Sequence, residues 1–97
     1  HRDIYIKAGQ IFLLPPNVPH SPRRPANTVG LVIERQRHAD ELDGFQWYCP
    51  DCGHKLYEEF VAMTDIVAQL PPIFERFYGD LEHRSCKECA CVVERPE

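Results

Sequence analysis

The sequence predicts a mainly β chain that closes with a small four-cysteine metal-binding tail carrying short helices. Three observations predict this. Side chains alternate along residues 4–7, the period of a half-buried β-strand, and residues 28–35 are apolar on both faces, as in a strand covered on both sides. Pro15, Pro16, Pro19, Pro22 and Pro25 fall between those segments and make a rigid connection. Two Cys-x-x-Cys pairs, Cys49/Cys52 and Cys86/Cys89, stand in the second half.

The elements follow in order. Ile4 and Ile6 face one way, Tyr5 and Lys7 the other, as in a half-buried strand. Ala8 and Gly9 form a tight turn. Residues 11–14 are a second short strand, stopped by Pro15 and Pro16, and residues 17–27 are a loop. In the third strand Val29, Leu31 and Ile33 share one face; Gly30, Val32 and Glu34 share the other. Both faces are largely apolar, so this strand is expected to be covered on both sides. Glu34 is then a carboxylate on a mostly buried element, which needs a reason. Residues 37–44 are a polar linker. Residues 45–48 and 55–61 read as a ribbon around the first cysteine pair. Thr64 is expected to cap a short helix ending at Leu70. Pro71 and Pro72 break it, Pro72 opens another reaching Tyr78, and Gly79 stops that one.

Composition bounds the function. A chain of 97 residues makes one small domain or part of a larger one. Its net charge of -4 argues against nucleic acid, since phosphate wants a basic surface. Arg35, Arg37 and His38 are followed by Asp40, Glu41 and Asp43, so they read as a solvated charged segment. No apolar run nears the roughly 20 residues that span a membrane, and nothing at the N-terminus reads as a secretory signal. Neither nucleic acid nor membrane is an expected partner.

Four of the five cysteines pair as Cys-x-x-Cys, and Cys91 is left over as a spare thiol or alternative ligand. A disulfide framework has no need of this pairing, whereas a metal site does. Each pair forms a turn that aims two thiolates at one point. The residue after the second cysteine is often Gly, for its positive φ. Gly53 satisfies this; Ala90 does not, so the second knuckle is expected to be strained or differently shaped. Between Cys52 and Cys86 lie 33 residues, whose helices can bring the ends together. Four thiolates in a tetrahedron suit iron or zinc and leave no open position, so the site is structural. Thiols kept for metal imply a reducing, cytoplasmic compartment.

The other constellation surrounds His20. Gly9-x5-Pro15-x-Asn17-x2-His20 has the spacing of the second cupin motif, with Asn17 where Gly is usual. Asn is the natural exchange, because it enters left-handed conformations most readily among other residues. A histidine at such a corner, flanked by Pro19 and Pro22, is well placed as a metal ligand. The wider segments Ile11-Phe12-Leu13-Leu14-Pro15-Pro16, Val18-Pro19-His20-Ser21-Pro22-Arg23-Arg24-Pro25 and Leu31-Val32-Ile33-Glu34-Arg35 resemble the 3-hydroxyanthranilate dioxygenase family. The resemblance continues through Leu42-Asp43-Gly44-Phe45 and Trp47-Tyr48-Cys49, and the cysteine-bearing tail resembles bacterial-type and fungal-type members.

The resemblance implies a cupin barrel, a double-stranded β-helix. Residues 1–36 are its C-terminal strands, 37–44 the linker, and 45–97 a rubredoxin-like four-cysteine extension. It implies Fe(II)-dependent opening of the 3-hydroxyanthranilate ring by O2. The product, 2-amino-3-carboxymuconate semialdehyde, cyclises to quinolinate, a precursor of NAD. His20 matches one of the family's two iron histidines, beside a metal-binding glutamate. Arg24 matches an arginine for the substrate carboxylate, and Glu34 a glutamate for its polar ring substituents. Members commonly form homodimers. The first metal motif, with the spacing His-x5-Glu, is not found in this sequence. His1 has no neighbour that completes it, and the chain alone is expected to be inactive. Two readings compete: a non-catalytic zinc-ribbon interaction module, and a cupin domain that holds a carboxylate ligand without chemistry.

Overall fold

Aromatic side chains at Phe45, Trp47 and Tyr57 set the pattern of a hairpin. In the computed structural model, which describes residues 2–96, β1 (Asp43–Tyr48) pairs antiparallel with β2 (Lys55–Val61). Trp47 lies opposite Tyr57 and Phe45 opposite Glu59, so the three aromatics share a face. The register slips after Trp47, where Tyr48 faces Lys55 and Leu56 is the extra residue of a bulge. The ribbon read from the sequence is therefore present, starting two residues earlier.

Asp65, not Thr64, caps α1 (Ile66–Tyr78); its carboxylate accepts the Val67 and Ala68 N–H groups at 3.1 and 3.2 Å. A full negative charge suits the positive end of the helix better than a hydroxyl does. Thr64 instead donates its backbone N–H to Gln69 Oε1 at 2.8 Å. Gln69 also accepts from the Asp65 N–H and donates to the Ala62 carbonyl, tying the end of β2 to the helix.

The helix runs on through Pro71 and Pro72, where a break was expected. Each proline removes the N–H that would reach Val67 or Ala68. Those carbonyls belong to Val67 and Ala68 in the exposed first turn, so the lost bonds are not buried. Further along, Ile73 and Phe77 are one turn apart and both 0% exposed. Their burial stabilises by roughly 1.5–3 kcal/mol each, comparable to the roughly 3 kcal/mol that an interior proline costs. Gly79 follows as the expected stop, its N–H bonded to Glu75 O at 2.8 Å. A one-turn α2 (Leu81–Arg84), capped by Asp80, was not foreseen.

The core lies between the hairpin and α1. Trp47 stacks on Phe77 with centroids 4.5 Å apart, and Phe74 meets Trp47 edge-on at 5.9 Å. Tyr57 stacks on His83 at 4.1 Å. Arg76 of α1 grips Glu59 of β2 through Nε and Nη2, and Tyr57 donates its hydroxyl to the same carboxylate. Phe77→Ala is expected to destabilise this unit by about 3–5 kcal/mol. Urea denaturation checks it; a loss below about 1 kcal/mol would show that Phe77 is not the centre of the core.

The chain divides into two units, His1–Val32 and Ile33–Glu97, and the elements above all belong to the second. His1 lies outside the described residues. Among the described residues of the first unit no strand forms, although strands were expected over residues 4–7, 11–14 and 28–35. A strand exists through its ladder, and these segments pair with no neighbouring strand here. The turns between them are those the sequence indicates. Gly9 has φ 81°, and the Gln10 N–H bonds Lys7 O at 3.0 Å. Asn17 takes φ 61°, the left-handed conformation argued for it above. With a two-stranded sheet, two short helices and a four-cysteine cluster, the described fold is small and mainly β to mixed. Among these residues no helix is long and apolar enough to cross a membrane.

Candidate functional site

The bulge at Tyr48 leads into the first knuckle. There the Cys49 N–H donates to His54 O at 2.7 Å and the Gly53 N–H to Cys49 O at 2.9 Å. The second knuckle repeats this pattern: Cys86 N–H to Cys91 O at 2.7 Å, and Ala90 N–H to Cys86 O at 2.9 Å. Each is closed by the same kind of antiparallel pairing, Tyr48 with Lys55 and Ser85 with Val92. Gly53 has φ 80° and Ala90 φ 65°. The second knuckle is thus not differently shaped; Ala90 is held in the left-handed region. Releasing that strain, Ala90→Gly is expected to stabilise the unit by about 1 kcal/mol. Thermal denaturation checks this, and a lowered midpoint would count against it.

The two knuckles bring four sulfurs together, all within 4.8 Å of one another. Cys49 Sγ lies 3.5 Å from Cys89 Sγ, and Cys52 Sγ 3.5 Å from Cys86 Sγ. A tetrahedral ion with bonds of about 2.3 Å would set its ligand sulfurs roughly 3.8 Å apart, so the group fits such an ion. The first cysteine of each knuckle, Cys49 or Cys86, is buried, and the second, Cys52 or Cys89, is exposed. Cys91 stands outside the group of four and half-buried, at the place equivalent to His54. That equivalence was not foreseen, although its signal is plain: each residue follows its first cysteine by five.

Hydrogen bonds decide where negative charge rests among the thiols. The backbone N–H groups of Cys52 and Asp51, with the Cys89 thiol, outweigh burial and pull Cys49 down to about 6. At Cys89 the Cys91 backbone N–H favours the thiolate. Contacts with the other sulfurs, Cys49 foremost, and burial prevail there and raise it to about 12. Close thiols cannot all ionise at neutral pH, and a divalent cation removes that conflict by replacing their protons. Soft thiolate donors select zinc or iron, and four of them leave no open coordination position.

The N-terminal unit holds His20 and Arg24. His20 is exposed, and its Nδ1 lies 2.8 Å from Val18 O. A carbonyl only accepts, so Nδ1 is the donor in this contact and Nε2 is the nitrogen left to face a ligand. Metal-ligating histidines are fixed in this way. Arg24 lays its guanidinium against the backbone at Gly30. Glu34 belongs to the other unit, and its side chain is 60% exposed with Arg37 Nη2 at 3.6 Å. The burial expected for Glu34 is not found, because the faces of residues 28–35 meet no covering layer and are exposed throughout. Among the described residues, the four cysteines are the one cluster of three or more metal-ligating side chains.

Residues 1–78 match the family described as 3-hydroxyanthranilic acid dioxygenase. The chain is 54% identical over 96 residues to a 3-hydroxyanthranilate 3,4-dioxygenase of Xanthomonas euvesicatoria pv. vesicatoria (strain 85-10), covering 99% of this chain and 54% of that protein. It is 53% identical over 88 residues to one of Paraburkholderia phytofirmans, covering 90% and 51%. A third, of Burkholderia lata, is 51% identical over 85 residues, covering 87% and 49%. The chain spans about half the length of the curated relatives it matches.

Proposed function

The chain belongs to the 3-hydroxyanthranilic acid dioxygenase family, and from this we propose that its residues serve the Fe(II)-dependent opening of the 3-hydroxyanthranilate ring by O2. The product is 2-amino-3-carboxymuconate semialdehyde, which cyclises to quinolinate on the way to NAD. The observation that carries the reading is identity along nearly the whole chain to proteins named for that reaction.

Residues 1–36 contribute the last strands of a cupin barrel, 37–44 link, and 45–97 form a rubredoxin-like extension. The surface of the N-terminal unit supports the barrel. Ile11 and Val29 are 98% exposed, and Leu13 and Leu31 are nearly so. Apolar side chains so placed call for a covering layer. In such a barrel Glu34 is covered too.

His20 would hold the iron through Nε2, with Nδ1 anchored on Val18 O. Fe(II) would supply the activation of O2 toward the substrate ring. Arg24 grips the substrate carboxylate through paired hydrogen bonds. Glu34 contacts the amino and hydroxyl substituents and accepts the hydroxyl proton. The extension holds iron or zinc in a structural role, supported by the four converging sulfurs. The protein works as a cytoplasmic homodimer; four cysteines that converge as metal ligands support the compartment.

The test is turnover by the intact protein. Loaded with Fe(II) and given 3-hydroxyanthranilate in air, it is expected to form the semialdehyde, followed by its ultraviolet absorbance, with one O2 consumed per ring. Absence of both signals from iron-loaded protein would refute the reading.

A further inference from the structure

We propose that Gly30 positions Arg24: its bare backbone is the floor on which the guanidinium lies, ready for the substrate carboxylate. This rests on the reading of Arg24 given above. The geometry begins at the turn between them. Asn27 takes φ 62°, and the Thr28 hydroxyl donates to Pro25 O at 2.7 Å. The chain reverses there, and Gly30 returns against Arg24. A Cβ built on Gly30 would lie 3.1 Å from Arg24 Nη2 and 3.3 Å from both Cζ and Nε. All three atoms belong to the guanidinium, so the planar group rests on the backbone where any other residue would place carbon.

The consequence is orientation. An arginine has a long, mobile stem, and a two-bonded grip on a carboxylate needs the guanidinium plane fixed. A flat floor removes conformers on one side before substrate arrives. An alanine at this position asks the guanidinium to shift by a few tenths of an ångström. A valine, branched at Cβ, asks for more. The side chain can move, so the fold tolerates both; what changes is where the carboxylate partner stands.

The experiment compares Gly30→Ala, Gly30→Val and Arg24→Ala in the intact, iron-loaded protein. Turnover of 3-hydroxyanthranilate is set beside that of 2-aminophenol, the same ring without the carboxylate. Gly30→Ala is expected to raise KM for 3-hydroxyanthranilate about threefold and Gly30→Val about tenfold, with kcat and iron content little changed. Neither variant should alter kinetics with 2-aminophenol. An equal penalty on both substrates, or iron loss, would mean that Gly30 merely supports the fold and would overturn the proposal. If Gly30→Val fails to fold, the Gly30→Ala comparison decides by the same criteria. Arg24→Ala separates the two levels. If it leaves KM unchanged, the reading of Arg24 fails and the proposal with it. If it raises KM while both Gly30 variants behave as the parent, only the positioning role fails.

Discussion

Cys49→Ser is expected to strip the C-terminal unit of its metal and abolish its cooperative unfolding transition. The reason is the size of the core. Among the described residues the buried apolar side chains are Cys49, Met63, Ile73, Phe77 and Cys86, so two of the five belong to the four-cysteine cluster. A unit with so little else inside needs a staple. A four-thiolate ion supplies one, with apparent binding energies of about 10–16 kcal/mol for structural zinc. Serine nearly preserves the volume of cysteine, so lost packing cannot account for the effect. Elemental analysis should show one metal fewer per chain, and thermal denaturation should lose its transition. Because the ligands bind as thiolates, acidification should release the same metal, and chelators should act more strongly as pH falls. A variant that kept both metal and transition would refute the four-cysteine centre.

His20→Ala is expected to abolish ring opening in the intact protein while leaving the C-terminal unit folded. Removing an outer partner of a metal ligand already costs about 10–100-fold in affinity or activity. Removing the ligand itself should exceed about 100-fold. His20 belongs to the N-terminal unit and the four cysteines to the other, so the thiolate-bound metal should be retained. Semialdehyde formation at more than a tenth of the parental rate would exclude His20 as an iron ligand.

The sequence was most legible where a local rule decides the structure. Cys-x-x-Cys spacing foretold the knuckles, Gly53 and Asn17 foretold left-handed turns, and the segments flanking the first cysteine pair foretold the hairpin. It was less legible where packing overrides a local rule. Pro71 and Pro72 read as a break, yet the helix crosses them because Ile73 and Phe77 are buried beyond. Ala90 read as a reason for a strained or differently shaped knuckle; the shape is the same, and the strain is there, with Ala90 held at φ 65°. It was least legible in residues 2–32, where apolar alternation describes faces that meet no partner strand. Alternation tells which side chains share a face but not what covers them. For the same reason Glu34, read as buried, stands exposed beside Arg37.

Two metal sites of different kinds are the core of this reading: one complete in four cysteines, one to which this chain contributes His20. Metal content per chain tests that most directly, measured on the intact protein, its His20→Ala variant and its Cys52→Ser variant. The expected values are about two, one and one, with ring opening lost in the first variant through loss of iron. Two metals retained in His20→Ala, or in Cys52→Ser, would contradict it.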